Sequence, residues 1–221
     1  APTSANPMPT IQAAAAAARE RVTDRTYRQE WLAEFVEDGG GVFGNIRGCI
    51  VEPISTGSCV FGIDWGKRED YTVVTVMDAG SKHVIAVRRW QGVDYRIQVQ
   101  RIEELAARYQ PEVIVAERNS MGDPLIEELF YERGLPVQPF VTTNKSKTRI
   151  IDALALACEH GKIGIPADAS WLIHELEAFE QRATSLLGLP TYAAPDGMHD
   201  DGVISLALAY SGARWAGGDD D

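Results

Sequence analysis

Short apolar runs that end in an acidic residue constrain the fold of this chain more than any other feature. The run 59–63 ends at Asp64, and the run 113–116 ends at Glu117. Short runs of this kind, rich in valine and isoleucine, are typical of strands buried inside a sheet. If the two strands are parallel neighbours, both carboxylates emerge at the same sheet edge. The pattern therefore favours an α/β fold with an acidic site at one edge of its sheet.

The rest of the chain from residue 58 onward alternates between strand and helix patterns. Two further strands are predicted over 71–77 and 83–87, and the turn between them is typical of a hairpin. Another strand is predicted over 137–141 and a small hairpin over 186–192. Helical spacing predicts helices over 94–109, 123–133, 148–160, 169–180 and 201–214. The order predicts a mixed sheet, three antiparallel strands followed by parallel ones, with helices on both faces.

The first 50 residues have a different character. Helices are predicted over 10–22 and 27–36, and a glycine triplet at 39–41 follows them. We interpret residues 1–50 as a connecting segment, 51–216 as the catalytic domain and 217–221 as a disordered acidic tail.

Composition limits the classes of protein that the chain can represent. A net charge of −11 argues against a stand-alone DNA-binding protein, but less against a domain that a larger assembly delivers to DNA. The three cysteines are far apart in sequence, so neither a disulfide framework nor a zinc site is indicated, and a reducing compartment is expected. No apolar run approaches the roughly 18–20 residues of a membrane span, and no signal-peptide pattern is present. We therefore expect no membrane association.

A third acidic position completes a candidate metal site. Asp200 and Asp201 open the last predicted helix, which could bring them to face Asp64 and Glu117. Clustered carboxylates repel one another, and divalent cations are their natural compensation. Carboxylate oxygens suit Mg²⁺ or Mn²⁺ rather than zinc. Two such ions could clamp a phosphodiester and activate the attacking water.

Each acid also has a purely structural explanation. Asp64 alone could start a turn, Glu117 could be an exposed strand end, and Asp200 or Asp201 could cap the last helix. The functional interpretation depends on finding all of them together in this topological order.

Basic residues lie close in sequence to the predicted site. They could grip phosphate groups, or they could form a solvated face that balances the local acidity. The candidates are Lys67, Arg68, Arg118, Lys145, Lys147 and Arg149. Arg89, at a strand end, receives no specific role, and Trp171 is interpreted as a packing residue.

Three motifs around the acids resemble those of the nuclease domain of phage terminase large subunits, a branch of the ribonuclease-H-like superfamily. The third is the most specific, because His-Asp-Asp leads into a helix rich in alanine and leucine. The motifs cover 61–66 with 70–73, then 113–117, then 197–209, and the stretch 147–163 between them is also similar. Residues 27–31 resemble the link between a motor ATPase domain and the nuclease. The resemblance runs from about Tyr27 to Trp215.

The resemblance implies a ribonuclease-H-like fold and metal-dependent cleavage of double-stranded viral DNA concatemers during genome packaging. Asp70 could support the site from outside the ligand shell, and His199 could orient a water or a phosphate. The metal ligands implied by the motif match are Asp64, Glu117, Asp201 and, as an additional or substitute ligand, Asp200.

Partners and location are implied by the same resemblance. The implied partners are double-stranded DNA, a motor ATPase domain, a small terminase subunit and the portal. The implied location is the cytoplasm of an infected bacterium and, transiently, the procapsid portal. The sequence contains no phosphate-binding loop of the Gly-x-x-x-x-Gly-Lys-Ser/Thr type, so the motor is not expected in this chain.

Other functions remain open at the level of sequence. Residues 61–66 also resemble the first phosphate motif of actin-like ATPases, but a second glycine-rich hairpin downstream is lacking. A resolvase- or transposase-like nuclease is a closer alternative. A non-catalytic docking module for a portal or motor partner would suit the acidic charge.

Overall fold

A five-stranded mixed sheet forms the centre of the structure. This computed structural model describes residues 2–3, 6–34, 41–66, 70–118, 122–184 and 190–218. Across the sheet the strand order is β3-β2-β1-β4-β5, with β1–β2 and β2–β3 antiparallel and β1–β4 and β4–β5 parallel. The predicted arrangement of antiparallel strands followed by parallel ones is confirmed. The strands are β1 (Cys59–Asp64), β2 (Thr72–Asp78), β3 (Val84–Trp90), β4 (Pro111–Arg118) and β5 (Val137–Val141).

Helices cover both faces of this sheet. A 3₁₀ turn covers Ile46–Cys49, and a π-helical turn over Glu128–Glu132 continues α4. None of the helices in the described part of the chain is long and apolar enough to span a membrane. The helices are α1 (Pro9–Arg19), α2 (Asp24–Glu30), α3 (Tyr95–Tyr109), α4 (Gly122–Glu127), α5 (Asn144–Glu159), α6 (Ser170–Ala178) and α7 (Asp201–Gly217).

Several boundaries differ from the predictions because polar capping residues carry no apolar periodicity. α5 begins four residues earlier than predicted, since Thr143 and Ser146 form a reciprocal capping box. α2 begins at Asp24 because Thr23 accepts a hydrogen bond from the Thr26 N–H. It ends at Glu30, and residues 35–36 of the predicted helix lie outside the described residues.

The small hairpin is offset from its predicted position. Its strands are β6 (Glu180–Thr184) and β7 (Pro190–Ala193), so the predicted range covers only the second strand and part of the connection. Residues 185–189 and the predicted acidic tail from 219 onward lie outside the described residues.

Alternation along the strands divides the core into two layers. Phe61 and Ile63 of β1 pack with residues of α3 and α4 on one face. Val60 packs with residues of α5, α6 and α7 on the other face. Since side chains alternate along a strand, Gly62 and Asp64 share the face of Val60. The carboxylate of Asp64 is thereby directed to the layer that contains α7.

α7 packs directly against β1 and fixes the end of that strand relative to the helix. A Cβ atom at Gly62 would overlap the backbone of Ser205 and Ala209, so only glycine allows this approach. The Ser205 hydroxyl lies 2.9 Å from the Gly62 carbonyl oxygen, to which it donates. Further along the helix, Gly212 lies beside Val60. The helix therefore runs antiparallel to β1, and its N-terminus lies at the end of the strand that carries Asp64.

Part of the predicted connecting segment packs on the catalytic domain. Phe43, Ile46 and Cys49 are buried in the layer formed with α5 and α6. The Asp24 N–H donates to the carboxylate of Glu159 at the end of α5, at 3.1 and 3.3 Å from its two oxygens. The division at residue 50 stays a prediction.

Candidate active site

The first two predicted acids lie side by side at the carboxyl end of the parallel strands. The parallel register pairs Ile63 of β1 with Ala116 of β4, so Asp64 and Glu117 leave neighbouring strands at the same sheet edge. Burial and then the charge of Glu117 raise the pKa of Asp64, so the two carboxyl groups lie close together. Asp64 is only 7% exposed. Two carboxylates this close repel each other.

Asp201, the first residue of α7, approaches this pair from the helix layer. Its Oδ2 atom accepts a hydrogen bond from the Tyr71 N–H at 3.1 Å. The Nδ1 atom of His199 lies 3.5 Å from the same oxygen, and the imidazole packs edge-on against the Tyr71 ring at a centroid distance of 5.0 Å. The predicted convergence of the last helix with the strand ends is thus observed.

Burial and mutual repulsion raise the pKa values of these acids. The pKa of Asp64 is raised well above its ordinary value, first by burial and then by Glu117, Asp201 and Asp200. The pKa of Asp201 is raised to about 6, first by burial and then by the charges of Asp70 and Asp200; the Tyr71 N–H and His199 act in the opposite direction. These effects show that the acids share one electrostatic environment, as expected of a cluster without cations.

Asp200 is held differently from its neighbour. Its Oδ2 atom accepts a hydrogen bond from the Lys147 ammonium group of α5 at 3.1 Å. Its side chain is 31% exposed, against 13% for that of Asp201. Asp200 occupies the N-cap position of α7, yet its side chain makes no capping hydrogen bond. The doublet therefore separates into a less exposed acid that the Tyr71 N–H holds and a more exposed one that pairs with a lysine.

The remaining predicted residues divide into near and distant ones. Asp70 is exposed but close enough to raise the pKa of Asp201. Arg118 pairs with Asp123 at 2.7 Å instead of with the acidic cluster. Lys145 and Arg149 are exposed residues in the first turns of α5. Lys67 and Arg68 lie outside the described residues.

Sequence reasoning missed Glu175 of α6, which lies directly behind Asp201. Glu175 is 6% exposed, and its Oε2 atom accepts a hydrogen bond from the Gly202 N–H at 3.0 Å. Burial, the largest cause, together with the charges of Asp201 and Asp200 raises its pKa to about 7, against the opposing effects of the Gly202 N–H and Arg89. No local pattern marks this residue, because its neighbours come from other elements.

Arg89, which the sequence left without a role, connects Glu175 to the rest of the site. Its Nη1 atom lies 3.6 Å from the Glu175 Oε1 atom. Its guanidinium lies over the rings of Tyr71 and Trp171, at 4.6 and 4.3 Å from their centroids. Trp171 packs against the core as predicted, and it also covers this arginine. Its position near Tyr71 follows from the strand register, which pairs Arg89 with Val73.

The donor set fits a hard divalent cation in its chemistry. Asp64, Glu117 and Asp201 offer carboxylate oxygens, the ligand type that such cations take. As placed, no three His, Cys, Asp or Glu side chains in the described ranges form a ready metal cage. The repulsion among these acids, which after burial raises the pKa of Asp64, is what a bound cation would offset.

Comparison with known proteins identifies the family. Residues 61–212 match the model of the terminase RNaseH-like domain. The chain belongs to this family. The terminase resemblance inferred from the three motifs is thereby confirmed, and the resolvase-like and actin-like alternatives are not supported.

The matching proteins are terminase large subunits and their nuclease domains. The large subunit of Thermus virus P23-45 is 32% identical over 205 residues, which are 86% of this chain and 41% of that protein. The chain therefore spans about two fifths of the length of the curated relatives it matches.

Solved structures of one relative match the fold as well. The large terminase nuclease of the thermophilic phage G20c matches with a TM-score of 0.69 and 30% identity, over 78% of this chain and 98% of that chain. Structures of the same nuclease with bound magnesium, cobalt or zinc match with TM-scores of 0.60–0.69 and 28–29% identity, over 77–78% of this chain and 97% of theirs.

Proposed function

We propose that this chain is a metal-dependent endonuclease that cleaves double-stranded viral DNA concatemers during genome packaging. The observation that carries the proposal is the convergence of Asp64, Glu117 and Asp201 at one sheet edge. The family supports it, since the relative from phage G20c is described as a large terminase nuclease.

The metal ligands in this proposal are Asp64, Glu117 and Asp201. A relative solved with magnesium, cobalt and zinc supports the use of divalent cations. Zinc is among these ions, although we expected carboxylate oxygens to suit Mg²⁺ or Mn²⁺ rather than zinc; we propose that Mg²⁺ or Mn²⁺ supports cleavage in this chain. Two ions bound together would neutralise the scissile phosphate and lower the pKa of the attacking water.

The protein side chains would hold and orient these groups. Asp201 is the better candidate for the main ligand of the doublet, because its side chain is the less exposed of the two. Asp200, the additional or substitute ligand, accepts a hydrogen bond from Lys147, and the ammonium group of this lysine could contact a DNA phosphate. His199, next to Asp201, could orient a water or the phosphate, and Asp70 could support the site from outside.

We further propose that the nuclease acts as part of a packaging assembly. The net charge of −11 supports delivery to DNA by partners, because an acidic domain gains little affinity from phosphate contacts. Its relatives are more than twice as long, which leaves room in them for a motor ATPase domain. The other expected partners are a small terminase subunit and the portal, and the expected location is the cytoplasm of an infected bacterium and, transiently, the procapsid portal.

A plasmid assay tests this function. The purified chain is expected to cut supercoiled double-stranded DNA with Mn²⁺ or Mg²⁺ and to stop when a chelator is added. Asp64→Ala, Glu117→Ala and Asp201→Ala should each abolish cleavage, because metal ligands act as a unit. Glu112→Ala is the matched control, since Glu112 is an exposed acid at the other end of the same strand. Full cleavage by the Asp64→Ala protein would refute the site.

A further inference from the structure

The first turn of α7 lacks the cap that its own sequence should provide. Asp is a favoured N-cap residue because its carboxylate can accept hydrogen bonds from the first free N–H groups of a helix. Asp200 occupies that position, but its carboxylate is bonded to Lys147 and makes no capping hydrogen bond. The N–H of Gly202 is bonded instead to Glu175, which reaches it from α6 at 3.0 Å. A neighbouring helix thus supplies the missing cap.

The capping carboxylate is itself held by a closed chain of contacts. Arg89 lies 3.6 Å from Glu175, and its guanidinium lies over the rings of Tyr71 and Trp171. The backbone N–H of Tyr71 donates to Asp201, the residue next to Gly202. Asp201 is therefore fixed from two sides, through its carboxylate by Tyr71 and through its backbone neighbour by Glu175.

The contact between Glu175 and α7 requires glycine at position 202. A Cβ atom there would lie 2.5 Å from the Glu175 Oε2 atom and 2.7 Å from the Trp171 ring, which is closer than such atoms can approach. The helix start, α6 and the Trp171 ring thus meet without space for a side chain. Such packing allows the helix start very little movement relative to Glu175.

We propose that Glu175 is a positioning residue of the nuclease, which orients Asp201 toward Asp64 and Glu117 by capping α7 from the neighbouring helix. The inference rests on the proposed metal-dependent function. A buried carboxylate with one hydrogen bond and one loose ion pair is costly. Packing alone would be served as well by an apolar side chain at this place. The position of the carboxylate, one residue from a proposed ligand, gives it a use that an apolar residue would not have.

The test compares Glu175→Ala with Glu177→Ala in the whole 221-residue chain. Glu177 lies on the same helix but is exposed, and it pairs with Arg47 on the surface. Mn²⁺ affinity is measured by isothermal titration calorimetry, and kcat and KM are measured on a DNA duplex. Because loss of a residue that orients a metal ligand typically costs 10–100-fold, Glu175→Ala should weaken Mn²⁺ binding about 10-fold or more and lower kcat by a similar factor. The KM of Glu175→Ala for DNA should stay within about twofold of the parent value. In Glu177→Ala, the Mn²⁺ affinity, kcat and KM should all stay within about twofold of the parent values.

Conservative variants separate positioning from a merely structural role. Glu175→Gln keeps an oxygen that can accept from the Gly202 N–H, so it should recover most of the Mn²⁺ affinity. If Glu175→Ala does not fold, Gly202→Ala decides the matter, since its methyl group must separate Glu175 from the helix start. Unchanged Mn²⁺ affinity in Glu175→Ala would overturn the inference. If that variant does not fold, unchanged Mn²⁺ affinity in Gly202→Ala would overturn it. The proposed function fails separately, if Asp201→Asn cleaves DNA as the parent does.

Discussion

Replacing Asp201 with asparagine is expected to stabilise the metal-free protein at pH 8, although most substitutions destabilise. The pKa of Asp201 in the folded protein is about 6, against an ordinary value of 3.8. Because the folded-state pKa is raised, the favourable contribution of this group is fully present below about pH 4 and is lost as the pH rises through about 6. The difference between the two values corresponds to about 3 kcal/mol of unfolding free energy. Asp64 and Glu175, whose pKa values are also raised, change stability in the same direction.

The asparagine variant removes this pH dependence and keeps most of the geometry. Its side-chain oxygen can still accept from the Tyr71 N–H, whose effect on the carboxylate is already contained in the pKa of Asp201. At pH 8 the variant should therefore be about 3 kcal/mol more stable than the parent. At pH 4 it should be equal or slightly less stable. The difference in unfolding free energy between the two proteins should therefore change by about 3 kcal/mol from pH 4 to pH 8, and this change is the quantity to measure.

Urea denaturation at pH 4 and pH 8 in a chelator, followed by the fluorescence of the five tryptophans, measures both differences. Asp196→Asn is the control substitution at a surface acid, because the Asp196 side chain is 98% exposed. Adding Mn²⁺ at pH 8 should stabilise the parent by mass action and the Asp201→Asn variant much less. If the variant is less stable than the parent by the same amount at both pH values, Asp201 is a structural hydrogen-bonding residue, and the electrostatic reasoning is refuted.

Two further predictions concern DNA. Cleavage should be largely indifferent to sequence and should fall steeply with salt, because the contacts are to phosphates. Agarose gels of unrelated plasmids cut at 50 and 200 mM salt, roughly the range over which such contacts weaken, measure both effects. One discrete cut site on each plasmid would contradict the prediction. Lys147→Met should lower the cleavage rate about 10-fold or more in single-turnover assays, while Lys145→Met, an exposed neighbour in the same helix, should have little effect. Equal rates for the two variants would remove Lys147 from the site.

The mixed sheet and the positions of the first two acids at strand ends were predictable because they depend on local patterns. Buried parallel strands are nearly continuous apolar runs, so the sequence predicts strands in the segments before Asp64 and Glu117. An acid at the end of such a strand must emerge at the sheet edge. The start of the last helix was equally visible, because the long apolar run of α7 begins directly after Asp201.

The surroundings of Asp201 could not be predicted because they depend on tertiary packing. Glu175 reaches Gly202 only through the way α6 lies on α7, and a single acid in a short helix gives no local signal of this. The place of Arg89 depends on the register of β3 against β2, which shifts at an irregularity between Val76 and Met77. The pairing of Asp200 with Lys147 likewise needs the packing of α5 beside α7, so the two acids of the doublet could not be distinguished beforehand.

The central claim is that Asp64, Glu117 and Asp201 together bind a divalent cation. Anomalous X-ray diffraction from a crystal soaked in Mn²⁺ measures this most directly. The account predicts an anomalous peak within bonding distance of all three carboxylates, and no such peak in Asp201→Asn crystals. A peak elsewhere, or none at a Mn²⁺ concentration that supports cleavage, would contradict it.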